Sequence, residues 1–380
     1  MTTPPGPTTQ RLMLMRAAVL HGAEDVRMEE VPIPVPGSGE VVARVDVASV
    51  DFTDRKVFLR GQHPMIKVPG LFGHEWVGTI TAVGPGVHGR WRPGQRVVAA
   101  NSAPCPPVRR VPTALPWVTD SFGEADAVCR QCRRGRQSMC ENIQYNNGAF
   151  APYILVPSRL VRMNLYAIPA DTPPERVVLT EPLACVVHAV RRVAIHPLDT
   201  VVILGAGPMG LLWVNALRRR YGPDLTIVSL DHADERLAVA KAMGAGYGLN
   251  SKGGNAQELL EAAVGRPDAD VVVEVIGTVE THREALGLVG RGGTLVSFGG
   301  IVPGPTLPVD FGRLHYEEIS IQPIYHHTPA DVAEAVRQLV AGEVPVERLI
   351  TARLPLSELR TALQMIGDRA TLRPILIPEH

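Results

Sequence analysis

A surplus of charge is the first thing this sequence lacks: 38 basic side chains balance 38 acidic ones over 380 residues. No overall field draws it to nucleic acid or an anionic membrane, and neither partner is expected. No apolar run approaches the roughly 18 residues that a membrane span needs. The opening MTTPPGPTTQ has neither the basic region nor the apolar core of a secretory signal, so residues 1–12 are expected to form a disordered tail and the protein to be cytoplasmic. Cysteine is scarce as well. Three of the five fall in the twelve residues CRQCRRGRQSMC, which favours a metal site in a reducing compartment over a disulfide framework. Internal repeats are missing. What remains, 45% hydrophobic residues in a long chain, is ordinary globular composition with room for more than one domain.

The text changes grammar once. From Met13 to Pro157 short alternating runs such as EVVARVDVAS, WVGTITAVG and APYILVP are broken by Gly and Pro, which reads as an all-β, barrel-like region. From Asp199, apolar runs alternate with amphipathic helical stretches: VVIL, LTIVSLD, DADVVVEVIG, GGTLVSFGG and EISIQPIY. That is the pattern of a doubly wound parallel sheet, so the fold class is α/β. The last stretch, from Asp331, alternates helix and strand and is expected to pack on the first region. Residues 106–128, rich in turn formers and carrying Trp117, read as an insertion loop.

Gly205, Gly207 and Gly210 form G-x-G-x-x-G directly between the strand TVVIL and a helix, with Pro208 and Met209 inside the motif. The spacing serves a tight turn, close approach to a pyrophosphate and close helix–strand packing. Asp231 ends the next strand about twenty residues on, where a carboxylate accepts from an adenosine ribose and repels a 2′-phosphate. NAD is therefore expected over NADP, with Arg236 tempering that preference. Cys129, Cys132 and Cys140 lie at C-x2-C-x7-C, and Cys105 upstream completes four thiolates, a closed tetrahedral set for a structural zinc. Cys185, in the run LACVVHAV, reads as a small buried residue.

Two further groups acquire meaning together. GHEW sets His74 and Glu75 side by side, and EPLA sets Glu181 at a helix start. With GHEWVGTITAVGPGV, CRQCRRGRQSMC, GAFAPYILVP, EPLACVVHAV, VVILGAGPMG and GRGGTLVSFGG in this order, the chain resembles the zinc-containing medium-chain dehydrogenase/reductase family over nearly its whole length. Within it, GHE and EPLA resemble the polyol branch, the sorbitol, glucose and threonine dehydrogenases and their cyclitol relatives. The resemblance implies a Rossmann dinucleotide-binding domain at 186–327. It also implies a GroES-like β-barrel catalytic domain at 13–185 and 328–380, with the structural zinc lobe at 101–142.

The chain departs from the family at one telling place. Where most members carry a zinc-binding cysteine in a pattern like Cys-Gly-Thr-Asp, this sequence has Asp51, Phe52, Thr53 and Asp54. By carry-over a catalytic zinc is held by Asp51, His74 and either Glu75 or Glu181, a harder site with weaker zinc selectivity. Thr53 takes the place of the hydroxyl that touches the substrate oxygen and relays its proton, and Asp54 orients His74. Lys56 replaces the distal relay histidine of several members. Phe52 and Trp76 are read either as pocket-lining or as core aromatics.

The implied chemistry is hydride transfer between NAD and the secondary alcohol of a polyol, sugar or (amino)cyclitol, a small hydrophilic hydroxyl or keto substrate. Assembly as a homodimer or homotetramer is expected through the edge strand ISIQPIYHH, where Pro323 suits an edge. Two rival readings stand beside this one. The first is a zinc-free NAD(P)H-dependent reductase of an activated double bond, and the second a non-catalytic nucleotide-binding protein of the same fold.

Overall fold

The structure, a computed structural model, describes residues 13–87, 89–106, 128–301 and 303–379. The expected tail 1–12 and residues 107–127 of the expected insertion, Trp117 among them, lie outside the described residues. The chain divides into two compact units: residues 1–103, 144–178 and 352–380 make one, and residues 104–143 and 179–351 the other.

In the first unit the strand Val41–Ser49, almost wholly buried, is the spine. It pairs antiparallel with Glu75–Val83, with Tyr153–Val156 and with Arg373–Ile377. Arg96–Ala99 and Leu165–Ala167 extend the sheet beyond Glu75–Val83. A smaller sheet joins Leu14–Gly22 to Asp25–Pro32 and Gly70–Leu71. The core between them includes Val45, Trp76, Ile80, Phe150, Ile154 and Leu160, and Phe72 meets Phe150 edge to face at 5.1 Å. Trp76 is therefore a core aromatic at 1% exposure, while Phe52 is half-exposed at 54%. The helix Leu359–Gly367 adds Leu359, Ala362, Leu363 and Ile366 to this core. Full burial of each of its larger side chains is worth about 1.5–3 kcal/mol.

Register explains where chemistry collects. Ser49 stands opposite Glu75, and Ile375 opposite Ser49. Asp51, two residues past Ser49, Arg373, two before Ile375, and the His74–Glu75 pair therefore emerge at one end of three neighbouring strands.

The second unit carries the expected doubly wound sheet. Six strands, all parallel, run in the spatial order Tyr247–Asn250, Thr226–Asp231, Thr200–Leu204, Ala269–Glu274, Val289–Ser297, Ser320–Pro323. Thr200–Leu204 is buried at every position, as a central parallel strand covered on both faces must be. Order reverses between it and Ala269–Glu274, the switch point where such sheets bind ligands. Ser320–Pro323 closes one edge, where Pro323 is tolerated.

The two units group three stretches differently from the sequence-based boundaries, residues 179–185 among them. Residues 104–143, the cysteine lobe, cluster with the second unit, and so do residues 328–351. For the latter the reason is a buried polar joint. The helix Pro329–Val340 packs on Thr180–Arg192, and Asp331 bonds to His188 at 2.8 Å and to Arg191 at 3.0 Å. Residues 352–380 belong to the first unit.

Candidate functional site

Asp51 is the N-cap of the helix Phe52–Arg60. Its Oδ1 accepts the Asp54 N–H at 2.7 Å, and Asp54 Oδ2 accepts the Asp51 N–H at 3.0 Å, a reciprocal capping box. The turn chemistry is thus real, and it is not all these acids do. Asp54 Oδ1 lies 3.0 Å from His74 Nδ1, and Asp51 Oδ2 lies 4.0 Å from His74 Nε2 on the other side of the ring. The Thr53 hydroxyl bonds to the Asp51 carboxylate. Lys56 is turned onto the Phe52 ring at 5.3 Å.

His74 and Asp54 are buried, Asp51 nearly so. Burial disfavours the imidazolium, yet the Asp54 and Asp51 carboxylates outweigh it and hold the His74 pKa well above its ordinary value. Burial likewise opposes ionisation of Asp51, but His74 and then Arg373 bring its carboxyl below the usual range. Asp54 is raised, chiefly by burial and by the neighbouring Asp51 charge.

Arg373 was not anticipated. It is 3% exposed, with Nη1 at 3.3 Å from Glu75 Oε1 and 4.0 Å from Asp51 Oδ2. Its neighbours in sequence, TLRPILIP, mark only a strand; nothing local signals that its first residue is a buried cation. Glu75, also buried, is thus engaged by a guanidinium. A small pocket lined by Asp54, His63, Met65, Phe72, His74 and Asn147 among others adjoins the imidazole.

The donor set in this unit fits a divalent cation. Ligand atoms of Asp51, Asp54 and His74 all fall within 4.8 Å of one another. Asp54 on Nδ1 leaves Nε2 facing Asp51, the arrangement in which a carboxylate fixes the tautomer of a metal-binding histidine.

In the second unit the four cysteines Cys105, Cys129, Cys132 and Cys140 converge within 4.8 Å. Cys105 and Cys140 sulfurs are 3.5 Å apart, and Cys129 Sγ accepts backbone N–H groups of Cys132 at 3.5 Å and Glu141 at 3.4 Å. Burial opposes ionisation of Cys129, but those two N–H donors prevail and bring the thiol to about 6. Four thiols so placed suit a closed zinc site.

The glycine motif takes the expected shape. Gly205 has φ 109, in the left-handed region. A Cβ on Gly210 would lie 1.8 Å from the Gly205 carbonyl oxygen, while one on Gly207 would meet nothing within 4 Å. The open side at Gly207, the N-cap of the helix Pro208–Tyr221, is a cradle that a phosphate can fill, and Met209 follows Pro208 in its first turn. Asp231 Oδ2 accepts the Ala206 N–H at 2.7 Å and its Oδ1 the His232 N–H at 2.8 Å, tying the second strand's end to the glycine turn. Arg236 sits on the following helix, Asp234–Ala242.

Glu181 lies on the first turn of the helix Thr180–Arg192, in the second unit. Cys185 is half-buried, not buried as its apolar neighbours suggested, and its Sγ lies 3.6 Å from Glu181 Oε1. One turn separates the two on a helix, so they share a face.

Residues 37–165 match the alcohol dehydrogenase GroES-like domain, and residues 208–341 the zinc-binding dehydrogenase domain. An alcohol dehydrogenase of Moraxella sp. (strain TAE123) is 31% identical, covering 87% of this chain and 90% of its own. An erythritol/L-threitol dehydrogenase of Mycolicibacterium smegmatis is 26% identical over 96% of this chain and 98% of its own. Among solved structures, a zinc-binding dehydrogenase from Sinorhizobium meliloti 1021 bound to NADP superposes with a TM-score of 0.82 at 25% identity, over 96% of this chain and 100% of that one. No helix among the described residues is long and apolar enough to cross a membrane.

Proposed function

We propose a chemistry for this chain from one premise: it belongs to the zinc-containing medium-chain dehydrogenase/reductase family, in the polyol dehydrogenase branch. Its reaction is the interconversion of a secondary alcohol, in a polyol, sugar or (amino)cyclitol, with the corresponding ketone, and NAD carries the hydride. One observation supports this above the others: Asp51 and His74 face each other at 4.0 Å with Asp54 locked on the far ring nitrogen.

Asp51 and His74 would hold the catalytic zinc, with a carboxylate of Glu75 or Glu181 as the third ligand, and the four cysteines would hold a structural zinc. A cation at Asp51 and His74 supplies Lewis acidity that lowers the pKa of a substrate hydroxyl. The rest falls to side chains. Thr53, bonded to the Asp51 carboxylate, takes the hydroxyl proton and passes it outward. Asp54 keeps the His74 ring from turning. Arg373 offsets the charge of both the Glu75 and the Asp51 carboxylates.

Asp231 supports NAD over NADP, since a carboxylate at the end of the second strand accepts from the ribose hydroxyls and repels a 2′-phosphate. Assembly is read as a homodimer or homotetramer through Ser320–Pro323, and the compartment as cytoplasmic.

The test is a panel of polyols and cyclitols assayed with NAD and with NADP, alongside metal content. Expected are two zinc ions tied to the two donor sets, NAD-dependent turnover, and loss of both turnover and one zinc in His74→Ala. Full activity in His74→Ala with one zinc retained would point instead to a zinc-free reductase.

A further inference from the structure

One buried carboxylate of the second unit has no part in the chemistry above. Glu274 ends the strand Ala269–Glu274, is 0% exposed, and gathers the backbone of two loops. Its Oε1 accepts the Ile276 N–H at 2.8 Å, the Gly277 N–H at 2.7 Å and the Thr281 hydroxyl at 2.7 Å. Its carbonyl accepts the N–H groups of Phe298 at 3.1 Å and Gly299 at 2.9 Å, just past the neighbouring strand Val289–Ser297. The other carboxylate oxygen, Oε2, has no hydrogen-bond partner among the described residues. A buried oxygen left so is costly, and packing alone would be served better by an apolar side chain.

His282, also buried, stands on that side with Nδ1 3.3 Å from Oε2. The same nitrogen lies 2.8 Å from the Thr278 carbonyl, which can only accept, so Nδ1 carries a proton; Nε2 lies 2.8 Å from the Ser297 hydroxyl. Glu274, Thr281, His282 and Ser297 therefore tie the loop after one strand to the loop after the next. The two loops leave each other no room. A Cβ on Gly299 would lie 2.4 Å from the Gly277 nitrogen and 2.6 Å from Glu274 Oε2, and one on Gly277 would lie 2.6 Å from the Gly300 carbonyl oxygen.

Their place in the sheet gives the network a use. A dinucleotide on such a sheet straddles the switch point with its pyrophosphate on the glycine turn. With the adenosine half on the side of Thr226–Asp231, the other half crosses the ends of Ala269–Glu274 and Val289–Ser297, where these loops begin. A Cβ on Gly205 would meet Val275 Cγ2 and Ile276 Cγ1 at 3.0 Å each, so the first loop abuts the glycine turn. Phe298 meets Trp213 of the helix Pro208–Tyr221 edge to face at 5.6 Å, which braces the second loop on the helix that follows that turn. Each loop also shows solvent an isoleucine, Ile276 at 41% and Ile301 at 37% exposure, an apolar surface suited to a flat ring.

We propose that Glu274 is a positioning residue for the nicotinamide half of the cofactor: with Thr281, His282 and Ser297 it locks the two loops on which the nicotinamide ribose and ring rest. Fully buried, it acts through the loop backbones rather than by touching the cofactor. The inference rests on the dehydrogenase reading of this chain.

Calorimetric titration of the full chain with NADH and with ADP separates the two halves, since ADP carries the adenosine and both phosphates but no nicotinamide. In Glu274→Gln the amide oxygen keeps the three donors of Oε1, while the amide NH2 is turned onto the proton-bearing Nδ1 of His282. Thr281→Val removes a hydroxyl at nearly constant volume. Each is expected to bind NADH about 5- to 150-fold more weakly, the range for loss of one buried hydrogen-bond partner, with ADP affinity changed less than about twofold. Thr281→Ser keeps the hydroxyl and should match the parent with both ligands. Equal weakening of both ligands in Glu274→Gln and Thr281→Val would mean that the network merely supports the sheet, and unchanged NADH affinity in both would mean that it does not set the loops; either result overturns the proposal. A parent chain that binds neither NADH nor NADPH would overturn the dehydrogenase reading and this inference with it, an outcome told apart from the others before any variant is made.

Discussion

Asp54 serves two partners with one carboxylate: Oδ1 lies 3.0 Å from His74 Nδ1, and Oδ2 accepts the Asp51 N–H at 3.0 Å. Helix start and imidazole are thereby set by the same group. Asp54→Asn keeps an acceptor for the cap but removes the charge that fixes the ring. Metal affinity at Asp51 and His74 is expected to fall about 10–100-fold. Equilibrium dialysis with Zn²⁺ measures it, and an unchanged affinity would show that His74 is oriented by packing alone.

Asp51 also has two roles, which a single substitution separates. Serine is as good an N-cap as aspartate, whereas alanine costs about 1 kcal/mol. Asp51→Ser should therefore keep the helix cap, yet lose its metal and its turnover. Asp51→Cys restores the thiolate that most relatives carry and should bind zinc more tightly, because sulfur is the softer ligand. Metal analysis with calorimetry on the two variants checks both, and a metal-replete Asp51→Ser would refute the role given to Asp51.

The glycine turn offers a contrast between folding and binding. Gly207 has φ −75, a conformation open to any residue, and a Cβ there meets nothing within 4 Å. Gly207→Ala should keep its melting temperature but bind NAD at least about tenfold more weakly, a loss of about 1.4 kcal/mol. In Gly210→Ala the new Cβ would sit 1.8 Å from a backbone oxygen, so helix and strand must part. A destabilisation of about 1–3 kcal/mol or more is expected. Equal melting temperatures for the two variants would contradict the packing role.

These contrasts mark how far the sequence could be read. The nucleotide turn is local: three glycines, a strand before and a helix after lie within about twenty residues, and each has a steric reason. The cysteine lobe is nearly as local, and Cys105 joined it because closing a longer loop costs little. The His74, Asp51 and Asp54 cluster required two strands to be paired in register, and became legible only through family resemblance. Arg373 belongs to a strand from the far end of the chain, and no periodicity announces which residue a buried guanidinium will meet. The helix Pro329–Val340 reads clearly as amphipathic, but an apolar face does not name its partner; the Asp331–His188 bond did.

That Asp331–His188 joint predicts a pH dependence. Burial raises the Asp331 carboxyl, but bonds from His188 and Thr328 prevail and its pKa falls below the ordinary 3.8. A carboxyl lowered by folding contributes its full stabilisation above its unfolded value and loses it as pH drops through the folded one. Charge-assisted bonds of this kind are worth about 1–3 kcal/mol when one partner is removed. Asp331→Asn should thus be less stable than the parent by that amount at pH 7, and the gap should close in acid, beginning near 3.8 and finishing below it. Urea unfolding followed by circular dichroism at neutral pH and at successive acid steps measures the gap. A difference that stays constant into acid would mean that shape, not charge, joins the two helices.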